Sequence, residues 1–377
     1  MERKTVIYLV RHCESEGNAC RRNQALFDGI VTQKGLKQSE VLAERFRDVP
    51  VTAIYSSDLY RSRVTAEPLA REKKLPIQYR MMLREYTIGA WEGTSIGYTA
   101  RCFPEMYARW QEAPYAHNIP GADPFELVAE RGYLAVQRMA RENPGGTVVA
   151  VTHSCVLVCT LTKLLGEPIS YYANVKSGDN TAVTKLEVDE EGRVEIKYIS
   201  DISHLPEELL RHNYTGRSAA TNFDFFPIGD VETDERFASI AGEMCREFPG
   251  RYSAQTLKAI VRRAQSQNSC FAMTATLPNR ACAMAVVRRD ETLPADHGLL
   301  ETLYVVEDLR NRGYCEQAIG EAIDQLRRFG CHYLVVENTS DPHIQQMIGR
   351  FCFEPMPGES SRLRMAVTTP GLDEPVY

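Results

Sequence analysis

The sequence has no excess of positive charge and no regularly spaced cysteine pairs. Its 44 lysines and arginines are outnumbered by 50 aspartates and glutamates, for a formal net charge of −6. Binding to nucleic acid through overall charge is therefore excluded, and any anion site must be local. The 11 cysteines are scattered without CxxC spacing. This pattern is typical of free thiols in a reducing compartment rather than of disulfides or a zinc site, so we expect no metal.

Long uninterrupted apolar runs are also absent. The most apolar stretch, residues 147–166, is interrupted by Thr152, His153 and Ser154 and contains Lys163. A membrane span needs about 18 largely apolar residues in succession, so this stretch is better explained as a buried strand followed by a buried helix. The apolar run at residues 6–10 is too short for a signal peptide. We expect a cytoplasmic protein without a membrane partner.

The chain does contain a repeated pattern of short β-branched runs, each followed by a polar turn and a helical segment. Such runs occupy residues 5–10, 52–55 and 147–152. Strands that alternate with helices predict an α/β fold with a parallel sheet covered on both faces. Ligands of such sheets bind at the carboxyl ends of the strands. His12, the turn at residues 57–61 and His153 follow these three strands.

The pattern changes after a predicted hairpin at residues 182–188 and 194–200. A polar segment with few apolar residues follows, and the chain length favours two domains over one. We predict a first domain at residues 1–205, a linker at 206–221 and a second domain at 222–377. In the second domain we expect six strands and three helices. The strands are near residues 223–228, 270–276, 281–288, 299–306, 333–337 and 362–368, and the helices near 234–247, 254–267 and 316–329.

The first candidate site begins with Arg11 and His12 at the end of the first strand. A neutral imidazole nitrogen can attack phosphorus, and a guanidinium can hold phosphate oxygens by paired hydrogen bonds. An Arg-His pair alone is more typical of a structural role. The wider spacing is more specific, because Asn18, Arg22 and Gln24 follow at fixed offsets and further blocks lie at residues 56–67, 83–93 and 151–154.

These blocks resemble, in order, the motifs of the histidine phosphatase superfamily, which includes the cofactor-dependent phosphoglycerate mutases. The resemblance covers the N-terminal half and implies a three-layer α/β/α fold with a mostly parallel sheet. It implies that His12 attacks phosphorus to give a phosphohistidine. Arg11, Arg61 and His153 would hold the phosphate oxygens, and Glu85 would transfer the proton. No metal is needed if arginines supply the positive charge.

The same resemblance implies secondary contacts to the substrate. They are Ser15, Asn18, Arg22 and Ser154. Cys13 stands where the family usually has glycine, and we expect that its side chain could narrow the pocket. Glu92 and Trp91 are expected to be structural, as a cap for backbone donors and as a packing anchor.

The second candidate site is a glycine turn that opens a helix after the predicted strand at residues 299–306. Free backbone N–H groups at a helix N-terminus favour a pyrophosphate, although an ordinary helix end has the same pattern. With Arg310 and Gly313, the stretch resembles the acetyl-coenzyme A segment of the GNAT-type N-acetyltransferases. This resemblance implies an α+β domain with a mixed, mainly antiparallel sheet and acetyl-CoA as cofactor. The implied contact residues are Val305, Val306, Arg310, Arg312, Gly313, Tyr314, Cys315 and Asn338.

The resemblance of the second domain indicates its catalytic residues less specifically than its cofactor contacts. Ile348 stands where the family often has a tyrosine, and Glu301 could be a general base or an ordinary paired carboxylate. We predict a metal-independent phosphomonoesterase for a small phosphorylated metabolite, fused to an acyl-CoA-binding domain that could acetylate an amine. Three alternatives stay open: phosphoglycerate mutase-type transfer, N-acetyltransferase as the main activity, and a non-catalytic acyl-CoA sensor. The sequence specifies neither the substrate nor the oligomeric state.

Overall fold

A computed structural model describes residues 4–210, 221–266, 270–278, 280–339 and 342–371. Two sheets organise these residues. The first contains β1 (Thr5–Arg11), β2 (Ala53–Ser56), β3 (Ile77–Tyr79), β4 (Thr147–Thr152), β5 (Val183–Val188) and β6 (Val194–Asp201). The second contains β7 (Asp224–Pro227), β8 (Cys270–Leu277), β9 (Arg280–Arg289), β10 (His297–Val305), β11 (Tyr333–Glu337), β12 (Glu354–Met356) and β13 (Glu359–Ala366).

The first sheet has the order β3-β2-β4-β1-β5-β6. Its first four strands in this order are parallel, and β5 and β6 are antiparallel. The helices α2 (Gln33–Arg45) and α3 (Tyr60–Lys73) pack on one face. On the other face lie α6 (Phe125–Glu142) and α7 (Ser154–Leu164). The predicted α/β/α architecture is confirmed, and the apolar stretch at residues 147–166 forms β4 and α7.

Three shorter helices lie at the carboxyl edge of this sheet. They are α1 (Glu16–Ala19), α4 (Ile96–Cys102) and α5 (Pro104–Glu112). The first follows the β1 strand directly, and the other two cover the candidate site. Among the described residues no helix is both long and apolar enough to cross a membrane.

The second sheet has the order β12-β13-β11-β10-β9-β8-β7. Among the strand pairs of the described residues, β10 and β11 alone are parallel, so the predicted mixed and mainly antiparallel sheet is confirmed. The helices α8 (Glu235–Glu247) and α9 (Ala254–Gln265) cover one face. The other face carries α10 (Tyr314–Arg328) and α11 (Pro342–Arg350).

The sequence patterns missed β3 and β12, which are three residues long and too short to show alternation. Of the predicted linker, residues 211–220 lie outside the described residues. The proposed domain limits stay a prediction.

Candidate active site

Two histidines meet at the carboxyl edge of the first sheet. The strands β1 and β4 are parallel neighbours, in register at Arg11 and Thr152. His12 and His153 therefore leave the sheet side by side. Their ring centroids are 5.1 Å apart, and both residues are buried. The structure thus brings together two imidazoles that are far apart in the chain.

The hydrogen bonds of His12 define which of its nitrogens is reactive. Nδ1 lies 2.7 Å from the carbonyl oxygen of Cys13. Because a carbonyl only accepts, Nδ1 carries the proton and Nε2 keeps its lone pair. Burial, together with Arg61 and Arg11, lowers the pKa of His12 well below its ordinary value. The ring is therefore neutral near neutral pH, with Nε2 able to act as a nucleophile.

His153 is a second neutral imidazole. Burial, followed by the charge of Arg61 and the neighbouring His12, lowers its pKa well below the ordinary value. Its Nε2 lies 3.3 Å from the hydroxyl oxygen of Ser62. Its Nδ1 has no hydrogen-bond partner within the described part of the chain. Buried polar atoms are normally satisfied, so this ring is suited to contact a bound polar group.

Arg61 brings a fully buried guanidinium to the same place from the first turn of α3. Its NH2 donates to the carbonyl oxygen of Ala25 at 2.7 Å, and its NH1 pairs with Asp28 at 3.3 Å. Nε has no partner among the described residues. From β1, Arg11 donates through NH1 to the carbonyl oxygen of Gly178 at 2.6 Å. Two positive charges therefore lie beside the two neutral imidazoles.

Glu85 contributes a buried carboxyl group at the N-terminus of α7. Its Oε2 accepts from the backbone N–H of Cys155, and its Oε1 accepts from those of Val156 and Tyr86, at 3.0, 3.0 and 3.1 Å. Burial raises the pKa of Glu85, while these backbone donors and Arg61 oppose the rise. A carboxyl group with a raised pKa can hold a proton closer to neutral pH and give it up.

A cavity of about 300 Å³ is lined by Arg11, His12 and Glu85, whereas Arg61 and His153 are not among its described lining residues. Polar lining residues include Arg11, His12, Asn18, Glu85 and Ser154. Aromatic side chains complete the wall: Tyr107 and Trp110 from α5, Tyr86 from the loop after β3, and Tyr172 from the segment after α7. The volume is at the lower end for ligand pockets and therefore suits a small molecule. Because the lining combines polar and aromatic side chains, a molecule with one polar and one apolar end fits it.

The predicted secondary contacts have different environments. Asn18 and Ser154 line the cavity, and the Ser154 hydroxyl donates to Ser177 at 2.7 Å. Ser15 is completely buried at the N-terminus of α1, and its hydroxyl donates to Gln24 at 2.7 Å. Its interaction is therefore with the neighbouring loop.

Arg22 also borders the cavity, but its guanidinium is already paired. Nε donates to the carbonyl oxygen of Gly93 at 2.8 Å. NH1 lies 3.0 Å from Glu321 and NH2 lies 3.2 Å from Asp324, both on α10. The structure therefore places the charge of Arg22 against the second half of the chain, whereas the sequence predicted a substrate contact.

Cys13 does not line the cavity. Its side chain is buried in an apolar cluster with Val31, Tyr60 and Val64, and burial raises the pKa of its thiol to about 11. The expected narrowing of the pocket is therefore wrong. The structural interpretation of Glu92 is confirmed, since its carboxylate accepts from three consecutive backbone N–H groups at residues 25–27.

Asn180 is a site residue that sequence reasoning missed. Its amide Nδ2 lies 2.9 Å from the carbonyl oxygen of His12 and 3.2 Å from Oδ1 of Asn18. It lies in a loop before β5, where no pattern indicated a function. Arg21 and Gln24 also line the cavity. The family spacing already marked the position of Gln24, but nothing marked that of Arg21.

The second candidate site is the turn before α10. Asn311 and Gly313 have positive φ values of 58° and 82°, and the helix begins without a side-chain cap. A turn that contains left-handed residues can bring successive backbone N–H groups together in an anion-binding concavity. A Cβ added at Gly313 would meet no atom of the described part of the chain within 4 Å, so the turn has open space beside it. These features fit the pyrophosphate of a coenzyme A.

The predicted contact residues around this turn differ in exposure. Arg312 and Asn338 are exposed, whereas Tyr314 and Cys315 are buried. Val305 and Val306 are also fully buried, so only their backbones could contact a ligand.

Other groups near this turn are held by ion pairs. The Arg310 guanidinium makes two 2.6 Å hydrogen bonds to Glu247. Glu301 pairs with Arg263 and, at 3.0 Å, with Arg288. The structure therefore shows Glu301 as a paired carboxylate.

Comparison with known proteins gives two family matches. Residues 7–201 match the family model of the Histidine phosphatase superfamily (branch 1), and residues 237–347 match that of the Acetyltransferase (GNAT) family. Phosphoserine phosphatase 1 of Hydrogenobacter thermophilus is 29% identical over 191 residues, which are 51% of this chain and 90% of that protein. The probable phosphoglycerate mutase GpmB of Salmonella typhi is 28% identical over 208 residues, 54% of this chain and 96% of that protein. Among solved structures, Bacillus stearothermophilus YhfR is 31% identical with a TM-score of 0.51, covering 53% of this chain and 98% of its own.

Proposed function

The chain belongs to the Histidine phosphatase superfamily (branch 1) and carries a GNAT-family acetyltransferase domain; on this basis we propose that it hydrolyses small phosphate monoesters, with His12 as the nucleophile. The observation that carries the proposal is the buried pair of imidazoles with ring centroids 5.1 Å apart. Arg11, Arg61 and Glu85 surround this pair. The set supplies a nucleophile, positive charge for a phosphate dianion and a proton donor.

The reaction would take place in two steps. In the first, the Nε2 lone pair of His12 attacks phosphorus, and the bond to the ester oxygen breaks. The leaving oxygen takes the bond's electron pair and receives a proton from Glu85. In the second step the Glu85 carboxylate takes a proton from water, whose oxygen attacks phosphorus. The N–P bond breaks, inorganic phosphate leaves, and His12 returns to its neutral form.

The surrounding charges would stabilise both transition states. Arg11, Arg61 and His153 would hold the equatorial oxygens, where negative charge must be neutralised. Nε of Arg61 and Nδ1 of His153, which have no hydrogen-bond partner among the described residues, are the atoms that such oxygens would satisfy. Asn180 would keep His12 in position, because its Nδ2 donates a hydrogen bond to the carbonyl oxygen of His12.

We favour hydrolysis over mutase-type transfer because of the lining of the rest of the cavity. A mutase must hold a second anionic group on the same substrate. The helices α4 and α5 contribute Ile96, Tyr107 and Trp110, and neighbouring loops add Ile88 and Tyr86. Of the two further arginines in the lining, Arg22 is already paired with Glu321 and Asp324, so Arg21 is a single additional cation in a mainly apolar and aromatic wall. Such a wall suits a leaving alcohol with a planar or apolar part.

A phosphate-release screen tests this proposal. The panel contains aryl phosphates, short alkyl phosphates, phosphoserine and 3-phosphoglycerate, each with wild-type protein and with His12→Ala. We expect steady release of inorganic phosphate by wild type and none above background by the variant. Equal release by both proteins would exclude His12 as the nucleophile. Isomerisation of 3-phosphoglycerate without release of phosphate would instead support the mutase alternative.

A second activity is favoured by the turn before α10. Backbone N–H groups of this turn, which has open space at Gly313, and the exposed Arg312 would hold the pyrophosphate of acetyl-CoA. When bound, acetyl-CoA would supply an acetyl thioester for transfer to an amine. Two candidate residues do not supply catalysis of this transfer, because Ile348 lacks a hydroxyl group and Glu301 is already paired.

Calorimetry with coenzyme A and a thiol-release assay with an amine panel separate the alternatives for this domain. Binding with amine-dependent release of thiol supports an N-acetyltransferase. Binding without turnover supports an acyl-CoA sensor. Absence of binding would contradict both.

A further inference from the structure

The segment that follows His12 is held by the C-terminal half of the chain. Three of its charged side chains, those of Glu14, Glu16 and Arg22, are at most 5% exposed. Each forms ion pairs with α10 or α11. Glu14 pairs with Arg350 at 3.0 Å, and Arg22 pairs with α10 as described above.

The pair between Glu16 and Arg327 is the most complete of these contacts. Arg327 NH1 donates to Oε1 at 2.8 Å and NH2 donates to Oε2 at 2.5 Å. This is the bidentate arrangement in which an arginine fixes both the position and the orientation of a carboxylate. Glu16 is the first residue of α1 and is fully buried. The position of α1 is thereby tied to that of α10.

Apolar packing fixes the same two helices against each other. Ala19, Cys20 and Ile30 belong to one core cluster with residues of α10 and of the second sheet. A Cβ added at Gly320 on α10 would lie 2.4 Å from the Cβ of Cys20. This approach leaves no room for a side chain, so α1 and α10 fit together in one arrangement.

A short chain of hydrogen bonds connects α1 to the nucleophile. Oδ1 of Asn18 lies 3.2 Å from Nδ2 of Asn180, which also donates to the carbonyl oxygen of His12 at 2.9 Å. Asn18 itself lines the cavity and accepts from the backbone N–H of Ser15 at 3.2 Å. A shift of α1 would therefore move both the cavity wall and the support of His12.

We propose that Arg327 is a positioning residue for the phosphatase site, which it holds through Glu16 and α1. This inference rests on the proposed hydrolysis at His12. It makes the GNAT-family domain a structural part of the phosphatase, so that a residue far along the chain determines the alignment of the nucleophile. Arg327 is not among the described residues that line the cavity.

Arg327→Met removes the charge and keeps most of the apolar stem. We expect kcat for an aryl phosphate to fall about 10- to 100-fold, as a misplacement near 1 Å can do. KM should change less, because Arg11 and Arg61 still bind the phosphate. Arg327→Lys keeps a charge but not the bidentate pair, and should restore part of kcat. Arg246→Met is the control, because Arg246 is an exposed arginine on α8 in the same half of the chain and takes no part in these ion pairs; its kcat should equal that of wild type.

Three results would distinguish the possibilities, with thermal unfolding measured on each variant. If folded Arg327→Met has the kcat of wild type while His12→Ala is inactive, the positioning role is overturned and the hydrolysis stands. If wild type and His12→Ala release phosphate equally, the hydrolysis itself fails and this inference fails with it. If Arg327→Met does not fold, Arg327→Lys decides: a lowered kcat supports the role, and a wild-type kcat overturns it.

Discussion

Replacement of Glu85 by glutamine tests the acid-base role at the site without changing the size of the side chain. The carboxylate accepts from three backbone N–H groups through its two oxygens. An amide has only one oxygen, so its NH2 group must face at least one of these donors. Loss of one such hydrogen bond destabilises a protein by about 1 kcal/mol.

The expected effect on catalysis is larger than this structural effect. General acid catalysis contributes about 10²- to 10⁴-fold, or about 3 to 5 kcal/mol in the barrier. Burial raises the pKa of Glu85, so the acid form extends to higher pH than for an ordinary glutamate. For wild type, hydrolysis of alkyl esters should therefore fall as pH rises through this raised pKa, and the variant should lack that limb.

Leaving groups that differ in their need for a proton provide the assay. A short alkyl phosphate needs protonation of its leaving oxygen, whereas p-nitrophenolate departs as an anion. Glu85→Gln should lose about 10²-fold or more of its kcat/KM on the alkyl ester. On p-nitrophenyl phosphate it should give a burst of one nitrophenolate per site. Slow turnover follows, because no base remains to activate water.

Glu92→Gln is the control for this experiment. Glu92 is also a carboxylate that accepts from three backbone N–H groups, but it is expected to have only a structural role. It should lose stability and keep the leaving-group dependence of wild type. If Glu85→Gln slows alkyl and nitrophenyl esters by the same factor and shows no burst, Glu85 is not the acid.

Two further predictions concern the neutral histidines and the second site. Burial lowers the pKa of His12 and His153, so below about pH 6.5 the unfolded chain takes up protons that the fold excludes, and stability falls as pH falls. His12→Asn should reduce this slope by up to about 1.4 kcal/mol per pH unit in urea unfolding; an unchanged slope would contradict a neutral buried ring. Arg312→Met should weaken binding of coenzyme A by about tenfold in calorimetry, whereas the exposed Arg246→Met on α8 should have no effect; equal affinities would exclude Arg312 as a pyrophosphate contact.

The sheet of the first half could be predicted because several of its strands are β-branched runs that can be recognised from the local sequence alone. The β-branched runs before His12 and His153 are mostly buried and end in polar turns, so their carboxyl ends mark the site. Glu85 and Arg61 were found through spacing within a family motif. Their hydrogen bonds, to α7 and to the loop near Asp28, could not be read from that spacing.

The contacts between the two halves had no local signal. Arg22 occupies a motif position that suggests a phosphate ligand, yet its charge is neutralised by Glu321 and Asp324. Glu16 and Arg327 are separated by most of the chain. Ion pairs of this kind depend on how two folded units pack against each other. A single sequence contains no periodicity from which that packing could be predicted. The helices α4 and α5, which cover the site, are short, so the sequence pattern did not predict them.

The most direct measurement is to trap the phosphorylated enzyme. Wild-type protein is mixed with a labelled aryl phosphate for less than one turnover, quenched in alkali, digested and analysed by mass spectrometry. We expect one phosphoryl group, stable to alkali and labile to acid, on the imidazole of His12, and none on His12→Ala. A phosphoryl group on another residue, or turnover by His12→Ala at the wild-type rate, would contradict the account.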